Sequence, residues 1–171
     1  MVNPPVWQAA QPGKHRKRRR RAQLKLERTE ENLSRALDVE RVQVLRYGEN
    51  PDQPAAFYRD PTVAGGFPQA RQLHGKALSY INLLDAEAAA LAVSAWGEEE
   101  LAACAIIKHA TPCGLAVGRD VAEAYAKALA TDPLSAFGSV VAFNREVDET
   151  VAHSMRGNFI EAIVAPSFVP S

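Results

Sequence analysis

The stretch AACAIIKHATPCG, residues 102–114, decides the fold class of this sequence. Its first part, Ala102–Lys108, is an apolar run that ends in a charged residue, and this pattern predicts a buried strand. The Pro112–Gly114 segment follows closely and predicts a tight turn. Because ligands of α/β proteins bind where strands end and loops begin, Lys108 and His109 stand where we expect chemistry.

Predicted strands and helices alternate on both sides of this stretch. Further strands are predicted at Val42–Tyr47, Leu115–Val117, Ser139–Phe143 and Ala162–Ala165. Three helices are predicted: Ala86 to about Trp96 with Asp85 as N-cap, Asp120 through about Ala130, and Asp148 towards Met155. The first helix is expected to present one apolar face, made of Ala88, Leu91, Ala92 and Ala95. This alternation indicates an α/β layer structure with some parallel pairing.

The composition is that of a globular protein, with 47% hydrophobic and 23% charged residues. No apolar stretch approaches the roughly 20 residues that a membrane-spanning helix needs. No apolar segment follows the basic run near the start, so a secretory signal is not expected. These features predict a cytoplasmic protein without a membrane partner.

The metal-binding residue types are few and scattered. Cys104 and Cys113 fit no common zinc pair and make no disulfide framework, so both are expected to be reduced. Cys104 is expected inside the buried strand. The four histidines show no ligand spacing, and we expect no metal site; they are His15, His74, His109 and His153.

The net charge of zero hides an uneven distribution. Residues 1–40 contain ten Lys and Arg against five Asp and Glu, whereas residues 41–171 contain ten against fifteen. The run KHRKRRRR at 14–21 consists of mutually repelling charges, which predicts a basic tail over 1–40 that is disordered or partly helical. The alternative is a segment that binds nucleic acid. The solvated tail is the interpretation that we favour, because blocks of like charge are commonly such tails.

The Lys108-His109 pair has the chemistry of a proton-transfer site. A histidine exchanges protons near neutral pH, and a neighbouring lysine can stabilise developing negative charge or protonate a leaving nitrogen. The plainer interpretation is a pair at a strand end that faces solvent. The dipeptide alone does not decide between the two.

Three further clusters are candidates for ligand contacts. Arg46 can hold a phosphate and Tyr47 can pack on a heterocycle, although an ordinary turn with a surface arginine fits as well. In the segment 132–139, Gly138 would allow a ligand to approach the backbone, as would any helix-to-strand turn. His74, in a polar loop over 73–80, is expected to be a surface residue.

Several familiar schemes are absent from the sequence. It contains no phosphate-binding loop that ends in Gly-Lys-Ser/Thr and no dinucleotide fingerprint after a strand. A zinc deaminase needs Pro-Cys-x-x-Cys, but Pro112-Cys113 is followed by Gly114, Leu115 and Ala116.

Taken together, five sequence blocks resemble one known family. In order and spacing they resemble the transformylase domain of the bifunctional purine-biosynthesis enzymes, which join a formyltransferase to an inosine-monophosphate cyclohydrolase. The blocks are Leu45–Gln53, Leu73–Asp85, Lys108–Gly114, Asp132–Asp148 and Phe159–Phe168. The resemblance covers the N-terminal part of that domain, over residues 41–171, and not the cyclohydrolase domain.

The resemblance implies a three-layer α-β-α fold similar to cytidine deaminases, without their zinc. It implies transfer of a formyl group from 10-formyltetrahydrofolate to 5-aminoimidazole-4-carboxamide ribonucleotide (AICAR), in a homodimer. By position, His109 resembles the proton acceptor and Lys108 the residue that stabilises the transition state. The implied substrate-binding residues are Arg46, Tyr47, Gly138 and Glu161.

Four positions depart from the family pattern. Asp52 stands where histidine is expected, Ile81 and Thr111 where asparagine is expected, and Ser139 where glycine is expected. Because the resemblance covers only part of the domain, we expect a fragment that is inactive alone. The alternatives are a non-catalytic nucleotide-binding or interaction module and, less favoured, a basic nucleic-acid-binding segment on an α/β scaffold.

Overall fold

The computed structural model describes residues 37–97 and 101–169. The basic run, the partly helical tail and any nucleic-acid contact predicted for residues 1–36 lie outside the described residues. Within the described residues, no helix is both long and apolar enough to cross a membrane.

A four-stranded mixed sheet forms the centre of the fold. Its strands are β3 Ala102–Lys108, β4 Thr111–Gly118, β5 Ser139–Phe143 and β6 Ile160–Val164. Their order is β4-β3-β5-β6, in which β3 pairs antiparallel with both β4 and β5, while β5 and β6 run parallel. The predicted bounds of β3 and β5 and the parallel pairing are confirmed, and β6 begins two residues before the predicted strand.

Helices cover both faces of this sheet, so the fold is α/β, as predicted. The helices are α1 Tyr80–Val93, α2 Val121–Thr131 and α3 Glu149–Ser154. Alternate residues of β3 point to opposite faces. Cys104 and Ile106 pack in a core with α2 and α3, whereas Ala105 and Ile107 pack against α1. The fully buried apolar run of β3 is explained by this double cover.

The first helix begins earlier than predicted. Ser79, not Asp85, is the N-cap: its hydroxyl accepts a hydrogen bond from the Asn82 N–H, and the Asn82 side chain accepts one from the Ser79 N–H. This reciprocal capping box usually carries Glu or Gln at the third helical position, which explains why the asparagine version was missed. Asp85 lies inside the helix, on its buried side.

The buried face of α1 also differs from the prediction. Ala86, Ala89 and Val93 are buried, whereas Leu91 is 73% exposed. Residues three and four apart lie on the same face of a helix. Because the buried face contains Ala86, Ala89 and Val93, the predicted face is rotated away from the core, and Leu91 points towards solvent.

The predicted turn at Pro112–Gly114 is wrong, because these residues belong to β4. The chain reverses three residues earlier, at His109 and Ala110, and Cys113 forms a bulge in β4. Pro112 is tolerated because β4 is an edge strand of this sheet. Gly114 has a packing role instead: a Cβ atom there would overlap the Ala128 carbonyl of α2.

The caps of the other two helices follow the prediction. The Asp120 side chain accepts a hydrogen bond from the Glu123 N–H at the start of α2, and the Asp148 side chain accepts one from the Val151 N–H at the start of α3. Both caps satisfy backbone N–H groups that have no partner within the helix.

A separate two-stranded antiparallel sheet precedes α1. It consists of β1 Glu40–Val44 and β2 Ala56–Arg59, and a short 3₁₀ helix follows at Phe67–Gln69. The strand predicted at Val42–Tyr47 is therefore displaced, and β2 was not predicted. Arg46 and Tyr47 follow β1, and backbone hydrogen bonds from Arg46 to Leu78 and from Tyr80 to Tyr47 join them to the start of α1.

Candidate functional site

The Lys108-His109 pair lies at a strained hairpin turn. Lys108 pairs with Thr111, which leaves a two-residue loop of His109 and Ala110. Both residues have positive φ angles, 52° and 57°. Two-residue hairpin loops favour this geometry, but they usually place Asn or Gly there, because a side chain clashes with the backbone. Non-glycine residues in such conformations cost about 1–3 kcal/mol each and persist only when surrounding contacts hold them.

A buried carboxylate holds this turn. Asp85 of α1 is 5% exposed, and its side chain accepts hydrogen bonds from both turn residues. The His109 N–H donates to Oδ2 at 3.2 Å, and the Ala110 N–H donates to Oδ1 at 2.6 Å. Since a buried carboxylate is costly unless it is hydrogen-bonded, the turn also satisfies Asp85.

Lys108 joins the turn to the loop that precedes β5. Its Nζ donates a hydrogen bond to the Phe137 carbonyl oxygen at 2.7 Å. Gly138 follows with φ of 74°, a conformation that a residue with a Cβ atom rarely adopts. The Gly138 N–H in turn donates to the Phe159 carbonyl oxygen at 2.7 Å, at the start of β6. The structure thus brings Lys108 and Gly138 together.

The loop that carries Gly138 is braced by Asp132. The Ser135 hydroxyl donates to one carboxylate oxygen of Asp132 at 2.6 Å, and the Ser135 N–H donates to the other at 3.0 Å. These hydrogen bonds lower the pKa of Asp132 and keep it ionised.

Arg46 and Tyr47 form a second part of the site. The Arg46 guanidinium lies 4.8 Å from the centre of the Tyr47 ring and donates to the Tyr47 hydroxyl at 3.2 Å. It also donates to Asn82 Oδ1 at 3.4 Å, at the first turn of α1. These contacts orient the guanidinium, which remains exposed on the surface.

A cleft of about 240 Å³ brings Arg46 and Glu161 together. Lys76 and Asn82 also line it, although neither was predicted as a site residue. Both belong to the block at 73–85 that resembles the family. The resemblance of the block therefore indicated this segment, although no single residue type in it predicted a ligand contact. The cleft is lined by Arg46, Lys76, Ala77, Leu78, Asn82, Phe159, Ile160 and Glu161.

Sheet topology explains why the two parts lie at the same end of the sheet, although Lys108, His109 and Gly138 do not line the cleft. Because β3 runs antiparallel to β5, the end of β3 lies beside the start of β5, and the parallel strand β6 starts at the same edge. The turn after β3 reaches α1 through Asp85, and the loop before β5 reaches Phe159 of the cleft. Tyr47 contacts Arg46 but does not line the cleft.

The four departures from the family pattern have different surroundings. Thr111 donates its hydroxyl hydrogen to the His109 carbonyl oxygen at 3.3 Å, so it adds a hydrogen bond to the turn. Asp52 is exposed and Ile81 half-buried. Ser139 is buried, and its hydroxyl has no hydrogen-bond partner among the described residues. His74 is exposed, as predicted.

The site offers cationic and hydrogen-bonding groups rather than metal ligands. Within residues 37–97 and 101–169, no three His, Cys, Asp or Glu side chains are grouped so that they could hold a metal ion.

Cys104 and Cys113 are both free thiols. Burial raises the pKa of Cys113, and the Asp132 carboxylate adds to this effect, so the thiol near Lys108 stays protonated.

Comparison with known protein families gives a match to this chain. The family model of the AICARFT/IMPCHase bienzyme matches residues 17–171, which is most of the 171-residue chain. The match includes both the turn and the cleft. The chain therefore belongs to the AICARFT/IMPCHase bienzyme family of purine biosynthesis.

Proposed function

We propose that this chain serves formyl transfer from 10-formyltetrahydrofolate to the 5-amino group of AICAR. The observation that carries the proposal is the placement of Lys108 and His109 at one edge of the sheet, joined through the Gly138 loop to the cleft of Arg46 and Glu161. Family membership supports purine biosynthesis as the setting.

His109 is the proposed proton acceptor. The amino group of AICAR is conjugated with its ring and is a weak nucleophile, so its attack on the formyl carbon needs proton removal. The attack forms the new C–N bond and a tetrahedral intermediate. Its collapse breaks the bond between the formyl carbon and the folate nitrogen, which leaves with a proton. His109 is exposed at the hairpin tip, where a ligand can reach its imidazole.

Lys108 is proposed to stabilise the negative charge that develops on the formyl oxygen. Its ammonium group has three N–H donors, and the hydrogen bond to the Phe137 carbonyl uses one of them. The remaining donors can face the reacting group while that bond holds the side chain in place. Preorganised donors of this kind lower the barrier because they need no rearrangement during reaction.

The cleft is proposed to bind the nucleotide. Arg46 suits the phosphate, because a guanidinium pairs with two phosphate oxygens at once, and Lys76 adds a second positive charge. Glu161 is assigned to the substrate's hydrogen-bond donors, Tyr47 supports Arg46, and Gly138 is assigned a backbone contact to the nucleotide. We further propose folate and a second copy of the chain as partners, and a cytoplasmic setting.

Single-turnover formylation with the purified chain tests the proposal, and measurable activity would contradict the expectation that this chain is inactive alone. His109→Ala should lower the rate on the order of 10²- to 10⁴-fold, the usual contribution of a general base, and Lys108→Ala should also reduce it severely. His74→Ala is the matched control, because His74 is exposed and lies outside the cleft. Equal rates for the His109 and His74 variants would contradict the assignment.

Calorimetry with AICAR separates a second candidate, a nucleotide-binding module. The specific observation in its favour is that the Arg46–Glu161 cleft is formed without the Lys108-His109 turn. AICAR binding that Arg46→Ala weakens, with no turnover by the wild-type chain, would favour the module over the transferase.

A further inference from the structure

The His109-Ala110 turn requires something to hold it. Both residues have left-handed backbone conformations although both carry a Cβ atom, and neither is the asparagine or glycine that such a hairpin favours. A free hairpin of this sequence would therefore spend much of its time in other conformations. The direction of the His109 side chain depends on which conformation the turn adopts.

Asp85 supplies the contact that fixes the conformation of the His109-Ala110 turn. Its two carboxylate oxygens accept the two N–H groups of the turn, one each, and no other side-chain hydrogen bond reaches Asp85 among the described residues. The carboxylate comes from the second turn of α1, a helix that packs against β3, β5 and β6. The anchor is thus part of the rigid core, 24 residues away from His109 in sequence.

We propose that Asp85 is a positioning residue for His109. Its carboxylate selects the left-handed conformation of the turn and thereby aims the imidazole towards the substrate. This inference rests on the proposed role of His109 in formyl transfer. Asp85 itself acts through the backbone of the turn and contacts no substrate.

Backbone amide NMR of the full chain tests this directly. Asp85→Asn keeps the shape of the side chain but exchanges one acceptor oxygen for an NH₂ group, so it can hold only one of the two N–H groups. We expect the amide signals of His109 and Ala110 to shift and their hydrogen exchange to accelerate by tenfold or more, on the order expected when a local contact opens. Asp148→Asn, which alters a helix cap away from the turn, should leave these signals unchanged.

A rescue variant distinguishes positioning from a general loss of stability. Because glycine adopts positive φ readily, Ala110→Gly should restore part of the turn in the Asp85→Asn background. Formyl-transfer kcat should fall on the order of 100-fold in Asp85→Asn, the scale of a small misplacement, with little change in KM for AICAR, and it should recover in the double variant.

Three outcomes decide between the proposals. Unchanged His109 and Ala110 amides in Asp85→Asn would overturn the positioning role. Loss of the turn without recovery by Ala110→Gly would also overturn it and would leave Asp85 as a purely structural residue. The third outcome is that the turn depends on Asp85 in the NMR experiment while the wild-type chain carries out no formyl transfer. That result would support Asp85 as the anchor of the turn and contradict the proposed function.

Discussion

Ser139 carries a hydroxyl group into the interior at the start of β5. The residue is 1% exposed, and its Oγ atom has no hydrogen-bond partner among the described residues. A buried hydroxyl without a partner has lost its hydrogen bonds to water and gained none in return. The resemblance to the family predicts glycine at this position, which would avoid that loss. Ser139 is thus a weak point of stability beside Gly138.

Replacing this hydroxyl should stabilise the chain. Ser139→Ala removes the unpaired group and keeps the Cβ atom, so the free energy of unfolding should rise by about 1 kcal/mol. Urea unfolding followed by circular dichroism measures the change. Ser94→Ala is the control, since its hydroxyl is exposed and donates to the Leu91 carbonyl. A loss of stability in Ser139→Ala would contradict the prediction.

At the scale of elements, β4 and α2 approach each other closely. Gly114 and Gly118 of β4 face α2, and a Cβ atom at either would come into conflict with backbone atoms of α2, at Ala128 and Ala124 respectively. Backbone atoms of a packed helix move less easily than the end of a side chain. The two glycines therefore set the distance between the edge strand and this helix.

Gly114→Ala should separate these two elements. The added methyl group forces β4 or α2 to move, and overpacking of this kind costs about 1–3 kcal/mol of unfolding free energy. Gly48→Ala is the milder comparison and should cost less, because the nearest atom there, Gln53 Cβ, is 3.2 Å from the new Cβ and can be relieved by a small shift. Equal unfolding midpoints in urea for the two variants would show that β4 is not held by Gly114.

The first turn of α2 contains a carboxylate that links stability to pH. Glu123 accepts hydrogen bonds from the backbone and the side chain of Arg119, and it forms an ion pair with Lys127. These contacts lower the pKa of Glu123 to about 2. Because the folded-state pKa is depressed, the contribution of Glu123 is complete above its ordinary value of 4.5. It disappears as the pH falls towards 2.

Glu123→Gln should therefore be less stable than the wild type near pH 6, with the difference shrinking between pH 4.5 and pH 2. Urea midpoints measured across this range test the sign. Arg119→Ala retains the backbone N–H and should lose only part of the pH dependence. A difference that grows as the pH falls would contradict the assignment.

At the scale of the whole molecule, the two thiols report different parts of the sheet. Cys104 lies in the central strand β3, where burial raises its pKa strongly, whereas Cys113 lies at the bulge of the edge strand β4 and is only half-buried. Central strands open only when the whole domain unfolds, while edges open locally.

Thiol labelling in native buffer should reflect this difference. Cys113 should react roughly 100-fold faster than Cys104, because labelling of Cys104 requires global unfolding. Mass spectrometry of alkylated peptides measures both rates, and the single variants Cys104→Ala and Cys113→Ala assign them. Comparable rates for the two thiols would indicate that the sheet opens as one unit.

Local chemistry was sufficient to predict much of the framework. The apolar run of Ala102–Lys108, the β5 strand and the caps at Asp120 and Asp148 follow from residues adjacent in sequence. The start of α1 was predicted wrongly, because Asp85 has the residue type of an N-cap but accepts a hydrogen bond from Ala110, far along the chain. Capping preference says which residues suit an N-terminus, not which of two candidates a fold will use.

The Lys108-His109 pair illustrates the boundary between sequence and tertiary structure. The sequence by itself determined that the pair follows a buried strand, and the resemblance assigned it a role. Only the tertiary structure decided that the chain reverses at His109, that Asp85 holds this turn and that Arg46 and Glu161 line the same cleft. These contacts join residues far apart in the chain, and their formation depends on sheet order and helix packing, which local periodicity does not specify.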